Sequence, residues 1–326
     1  MTTYSKKISV SRRHPLVENL LLIEGISRAG KFLLNNLLAG IEGIEPGQCR
    51  ASLENIPRLV SFGLLDKTAG QELIQTEIDQ YCYEMLIGRN AFNYRESDKS
   101  SIFNNPRHQS YFKRYTSPDG ESAVQNFYQE KLYSSFIVHE TLPNIKIFID
   151  HFPKIKVLSI QRNPVALIHS WLKRNLEKRI GADPIMGAMI FRHNRILVPW
   201  YLRDKAAEYK MLNNETDRVI LAVSAIISKN RHAFKKLSPS AKRRIIFINY
   251  EDLMTKPELI MPKVAQFLHK KTTPDLPKII KAEKLPNPEA SDIDGKKVFL
   301  FETASPIYRR LLAKLESDYT HKNIFS

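Results

Sequence analysis

The chain has 326 residues and is 43% hydrophobic, enough apolar material for a globular protein of one large domain or two modest ones. Fifty Lys and Arg against thirty-four Asp and Glu give a formal charge of +16, which favours an anionic ligand, nucleic acid or an acidic surface. Two cysteines, Cys49 and Cys82, exclude a disulfide framework and favour a reducing compartment.

At the N-terminus, "MTTYSKKISVSRRHPLVENLLLIEG" carries an apolar run broken by Glu18 and Asn19, too short for a membrane span or a secretory signal. A soluble, cytoplasmic protein is expected. Leu20 to Glu24 reads as a short strand ending at Gly25. The segment "KFLLNNLLAG" follows with apolar residues at helical spacing as far as Gly40. A polar stretch over about 88–135, rich in Asn, Arg, Lys, Tyr and Phe, reads as an excursion from the scaffold. "KIKVLSIQ" (154–161) reads as a second strand, and "NPVALIHSWLKRN" as a helix with Asn163 as N-cap and Pro164 in its first turn. A second polar excursion covers about 174–217. At its end the sequon "NNET" (213–216) reads as a turn before a helix. "RIIFINY" (244–250) is a third strand, "EDLMTKPELIMPKVAQFL" is helical with Pro257 near a start, and "SPIYRRLLAKLESDY" is an amphipathic terminal helix. Strands alternating with helices predict an α/β fold with a parallel sheet covered on both faces.

Gly25, four residues and Gly30-Lys31 open the P-loop pattern G-x-x-x-x-G-K-[ST], but Phe32 stands where a metal-holding hydroxyl belongs. In a parallel sheet the loops leaving the C-terminal strand ends share one edge, where ligands bind. Gly25–Lys31 is one such loop and Gln161–Pro164 another, each feeding a helix N-terminus that favours an anion. Arg162 adds a planar fork of donors, and Ser170, seven residues after Asn163, falls on nearly the same helix face as the loop. Taken singly, these two read as a strand-end arginine in an ion pair and a serine within a helix, and only their combination with the first loop points to an anion.

The pair "GISRAGKFLLNNLL" and "VLSIQRNPVALIHSWL" resembles the two signature segments of the sulfotransferase family, which uses 3′-phosphoadenosine 5′-phosphosulfate (PAPS) as sulfuryl donor. The resemblance runs with gaps from about residue 20 to 270. "ETLPNIKIFIDHFP" and "FINYEDLMTKPELIMPKVAQFL" add to it. It implies one domain over 1–326, with a three-layer, P-loop-like fold and insertions at about 88–135 and 174–217. It also implies metal-independent transfer, so that Phe32 costs no Mg²⁺ ligand, with adenosine 3′,5′-bisphosphate as product. The first loop, Ser27, Arg28, Ala29, Gly30, Lys31 and Phe32, would hold the 5′-phosphosulfate. Arg28 would steady charge on the leaving oxygen, and Lys31 would replace lost hydroxyl contacts with charge. Arg162 and Ser170 would hold the 3′-phosphate, and Lys296, in a late basic loop "GKK", would close over it; an exposed turn is the alternative for that segment. Glu54 matches the expected general base, with His139 and Glu140 in "FIVHETLP" in reserve. Glu54 equally suits a helix first turn, and His139 taken alone reads as a packed strand histidine. The loop form resembles carbohydrate and tyrosyl-protein enzymes, and the charge suits an acidic glycan or glycolipid as acceptor.

Two rivals define what the structure must discriminate. A metal-dependent P-loop kinase would need a strand-end Asp, for which Asp150 is the candidate, although its approach from "LPN" looks helical. A nucleic-acid-binding protein would use the charge and the aromatics among basics in "NPRHQSYFKRYTSP" (105–118), but no nucleic-acid motif accompanies them.

Overall fold

The computed structural model describes residue 10 and residues 14–321 apart from 90, 91, 99, 117–119, 185, 187, 194, 195 and 292. Most of the N-terminal basic stretch, residues 1–9 and 11–13, lies outside the described residues, as do 117 and 118 of the aromatic–basic segment. In chain order the first half runs β1 (Leu20–Gly25), α1 (Lys31–Leu38), β2 (Gln48–Cys49), α2 (Ser52–Ser61), α3 (Lys67–Leu86), α4 (His108–Phe112), α5 (Gly120–Gln129), β3 (Ser134–His139), α6 (Ile145–His151), β4 (Lys156–Gln161) and α7 (Pro164–Lys173). The second half runs α8 (Leu176–Arg179), β5 (Ile190–His193), β6 (Ile196–Pro199), α9 (Ala206–Met211), α10 (Glu215–Lys235), α11 (Pro239–Lys242), β7 (Ile245–Asn249), α12 (Tyr250–Thr255), α13 (Pro257–Phe267), α14 (Leu276–Ala282), α15 (Asp294–Thr303) and α16 (Pro306–His321).

Five strands form one parallel sheet in the order β2-β3-β1-β4-β7, while β5 and β6 form a separate antiparallel hairpin. Alternate residues of a strand face opposite sides, so a sheet covered on both faces buries every position. Strand β1 does this: Leu20 and Leu22 join Phe136, Val138 and Val157 in a core with Ile74 and Ile78 of α3. Leu21 and Ile23 join Ile137 and Leu158 in a second core with Leu34 and Leu37 of α1 and Met261 and Val264 of α13. A third core, around Trp171, Trp200 and the apolar face of α10, carries α7 and α16.

Register then sets the site. Gly25 pairs with His139, Glu24 with Ser159, and Gln161 with Asn249. Because the strands are parallel, their C-terminal ends deliver the first loop, His139, the second loop and Tyr250 to one edge of the sheet.

The strand and helix expectations hold at the three β-loop-α units, with two adjustments. The helical segment after β7 is two helices, because Lys256 precedes Pro257 and leaves the helical region (ψ 47°). The excursions end inside regular elements: β3 begins at Ser134 and α10 at Glu215. The "NNET" turn is a cap, in which Asn214 Oδ1 accepts from the amides of Thr216 and Asp217. Among the described residues no helix is long and apolar enough to cross a membrane.

Candidate functional site

The first loop is a short backbone arch between β1 and α1. Gly30 has φ 111°, and a Cβ there would lie 2.4 Å from the Tyr250 ring, so both conformation and space demand glycine. Arg28 also has positive φ (74°), a conformation that costs a non-glycine residue roughly 1–3 kcal/mol and persists only where its surroundings impose it. Here the surroundings are side chains bonded to the loop backbone. Trp171 Nε1 donates to Ser27 O (2.8 Å) and Arg162 donates to Arg28 O (2.9 Å). The carboxylate of Glu140 accepts from the Ser27 amide (2.6 Å). Ala29 is buried and its amide donates to Ile26 O, closing the turn. Phe32 sits exposed in the first turn of α1.

Lys31 does not extend outward as the resemblance implies for the donor-facing position. It is 3% exposed, and its Nζ donates back to Gly25 O (2.7 Å) and Ile26 O (3.0 Å). Burial lowers its pKa, against the pull of Glu140, Glu24 and Glu54.

The second loop presents side chains. Asn163 caps α7 through Oδ1 to the Val165 amide (2.8 Å), while its own amide donates to Glu251 (2.9 Å). Arg162 lies over the Tyr250 ring at 4.4 Å, and its Nε is buried without a hydrogen-bond partner. Arg28 Nε donates to Ser170 Oγ at 3.3 Å, so the two loops meet. Burial first, then the charges of Arg174 and Arg162, lower the Arg28 pKa; burial, Lys296, Lys173 and Arg162 lower that of His169. Cations crowded this way are relieved by an anion placed among them.

The expected late basic loop is instead helix. Lys296 lies in the first turn of α15, which packs on α7, and Phe299 sets its ring edge-on to His169 at 5.7 Å. The helix carries Lys296 to where its charge acts on His169 of α7 and pairs Lys297 with Glu316 (2.8 Å).

Beneath the first loop lies a buried acid–base group. Glu54, in the first turn of α2, accepts from both the His139 amide (2.9 Å) and His139 Nδ1 (2.7 Å). A carboxylate cannot donate, so this contact puts the proton on Nδ1 and leaves Nε2 as the basic nitrogen. Burial raises the Glu54 pKa, but the His139 hydrogen bond, His139 charge and Arg58 outweigh it and hold the carboxyl below its usual range. Arg58, one turn after Glu54, stands 3.6 Å from it, donates to His139 O (2.7 Å) and lies over Trp200. Glu24 is fully buried between Ser159 Oγ (2.7 Å) and the Leu142 amide (3.2 Å), and burial pushes its pKa up.

Asp150, the residue a kinase would need, is on α6 as its approach predicts, and pairs with Lys67 and Lys146. Sequence reasoning passed over Tyr250, Trp171, Glu24 and Arg58. Only Arg58 left a signal, its i,i+4 spacing from Glu54.

Residues 84–287, more than half of the chain, match the sulfotransferase domain family, and the chain belongs to that family. The match includes the second loop and begins after the first. Among solved structures, the sulfotransferase domain of the Synechococcus PCC 7002 olefin synthase aligns at 15% identity, covering 96% of this chain and 98% of that one with a TM-score of 0.46. A sulfotransferase domain from the curacin biosynthetic pathway aligns at 15% identity (92% and 98% covered, TM-score 0.45). Sulfotransferase STF9 from Mycobacterium avium aligns at 12% (96% and 78%, TM-score 0.45). No curated protein matches the chain.

Proposed function

We propose that this sulfotransferase takes its sulfuryl group from PAPS without a metal ion and passes it to the hydroxyl of an acidic glycan or glycolipid in the cytoplasm. The observation that carries the donor reading is the meeting of the two loops: Arg28 on Ser170, Arg162 on the Arg28 carbonyl, and a cluster of like charges around them. PAPS fits that arrangement, since Gly30 lets the arch turn tightly against the Tyr250 ring and Arg162 retains a buried Nε with no partner among the described residues.

The donor supplies an activated sulfuryl group and a dianionic leaving group. Backbone amides of Gly30, Lys31 and Phe32 at the α1 N-terminus hold its 5′ end, those of Ser27 and Ala29 being engaged by Glu140 and Ile26, while Arg162, Ser170 and Lys296 hold the 3′-phosphate. Arg28, exposed and projected from a strained backbone, offers positive charge where the leaving oxygen develops negative charge. His139 Nε2 removes the acceptor proton, and Glu54 fixes the imidazole from the other side; Glu54 thus serves the base rather than being the base itself. The surplus cationic charge attracts an acidic acceptor.

Calorimetric titration with adenosine 3′,5′-bisphosphate in EDTA tests this. Wild type binds, and Arg162→Ala binds about 10- to 100-fold more weakly, the worth of a charge-assisted hydrogen bond. Equal binding by both proteins, or binding that requires Mg²⁺, overturns it.

A further inference from the structure

In a loop that turns its amides toward an anion, the carbonyls point the opposite way, into the protein, where each needs a donor. Four consecutive carbonyls here are served by side chains. Those of Gly25 and Ile26 accept from Lys31, that of Ser27 from Trp171, and that of Arg28 from Arg162. Lys31 therefore reaches two of the four from a single buried ammonium, alongside the Glu140 amide on Gly25 O (3.3 Å) and the Ala29 amide on Ile26 O (2.9 Å). Glu140, itself at φ 48°, completes the contact by accepting the Ser27 amide and lies among the carboxylates facing Lys31.

We propose that Lys31 and Glu140 are positioning residues, a buried clamp that holds the first loop in its donor-binding shape from within. This rests on the PAPS reading above. With Lys31 turned inward, its ammonium is withdrawn from the anion, and the rigidity of that cradle depends on contacts the donor never makes. Lys31 thus supports the loop from within rather than contacting the anion. This also explains how Phe32 is tolerated: its ring points to solvent, and nothing in the clamp requires a polar group there.

The clamp acts on the loop for the 5′ end and not on the second loop, which gives it a signature that general destabilisation lacks. Binding of adenosine 3′,5′-bisphosphate and of adenosine 3′-monophosphate is measured by calorimetry in EDTA for wild type and Lys31→Met. The variant binds the bisphosphate about 10- to 100-fold more weakly, while its affinity for the 3′-monophosphate stays within about twofold. Parallel loss for both nucleotides, or no loss for either, overturns the clamp. Should Lys31→Met fail to fold, Glu140 supplies the same test. Glu140→Gln keeps an acceptor for the Ser27 amide and stays within about threefold of wild type, whereas Glu140→Ala shows the selective loss; identical behaviour of the two overturns the clamp. Failure of wild type to bind the bisphosphate is a separate result, which removes the PAPS reading and takes the clamp's function with it.

Discussion

The two loops at the C-terminal edge of the sheet reach the same end by different means. The second loop is a locally encoded device: Asn163 caps, Pro164 starts the helix, and Arg162 projects a side chain that packs on Tyr250. The first is a strained backbone arch whose shape is imposed from outside by Trp171, Arg162, Glu140 and Lys31, residues drawn from three other segments as well as its own helix. A side-chain site tolerates neighbours changing, because its geometry is carried by its own rotamers. A backbone site fails when its supports fail.

Mutations that break one loop and spare the other sharpen this contrast. The largest effect is expected from Arg28→Ala, which should depress sulfuryl transfer from PAPS to a glycan or glycolipid acceptor by about 10²- to 10³-fold, the range for losing a placed charge-stabilising donor. Its affinity for adenosine 3′,5′-bisphosphate should change far less. A matching loss of affinity would assign Arg28 to binding instead. Next, Arg162→Lys should recover charge but not the planar fork or the Tyr250 stacking, and should bind the bisphosphate about 5- to 10-fold more weakly than wild type. Full recovery would mean that charge alone matters at the second loop.

Gly30→Ala attacks the first loop's backbone. Its Cβ meets the Tyr250 ring at a φ that disfavours any side chain, so thermal unfolding should report a loss of about 1–3 kcal/mol. Tyr250→Leu in the same chain should return the steric part only, leaving the φ penalty; full additivity of the two changes would separate ring and loop. The smallest effect concerns pH. The Glu54 carboxyl is held below its ordinary value in the folded state, so its stabilisation is present above the unfolded-state pKa and is lost as pH falls through the folded-state pKa. Glu54→Gln should therefore be less stable than wild type at neutral pH, with the difference shrinking as the solution is acidified. A constant difference across the acid range would show that the pair with His139 contributes no proton-linked stability.

The three β-loop-α units were legible because each is local. Apolar β-branched runs end at a glycine or a capping residue, and the helical period restarts within a few positions. Asn163-Pro164 even gave its helix boundary to the residue. The late "GKK" segment was harder, since glycine and adjacent lysines suggest a turn until α15 is seen resting on α7. Strand β2 has only two residues and pairs at the sheet edge, too short to carry a periodicity.

From its own order of residues the chain determined the parallel sheet and the two loop-to-helix starts, because these follow from spacing and residue chemistry within short windows, while the family was read from the resemblance of two signature segments. Tertiary structure alone decided that Lys31 turns inward, that Glu54 lies behind His139, and that Trp171 and Tyr250 brace the loops. Those outcomes depend on which distant group fills a space or meets an unpaired carbonyl, and such a partnership arises only when register brings separate strand ends to one edge.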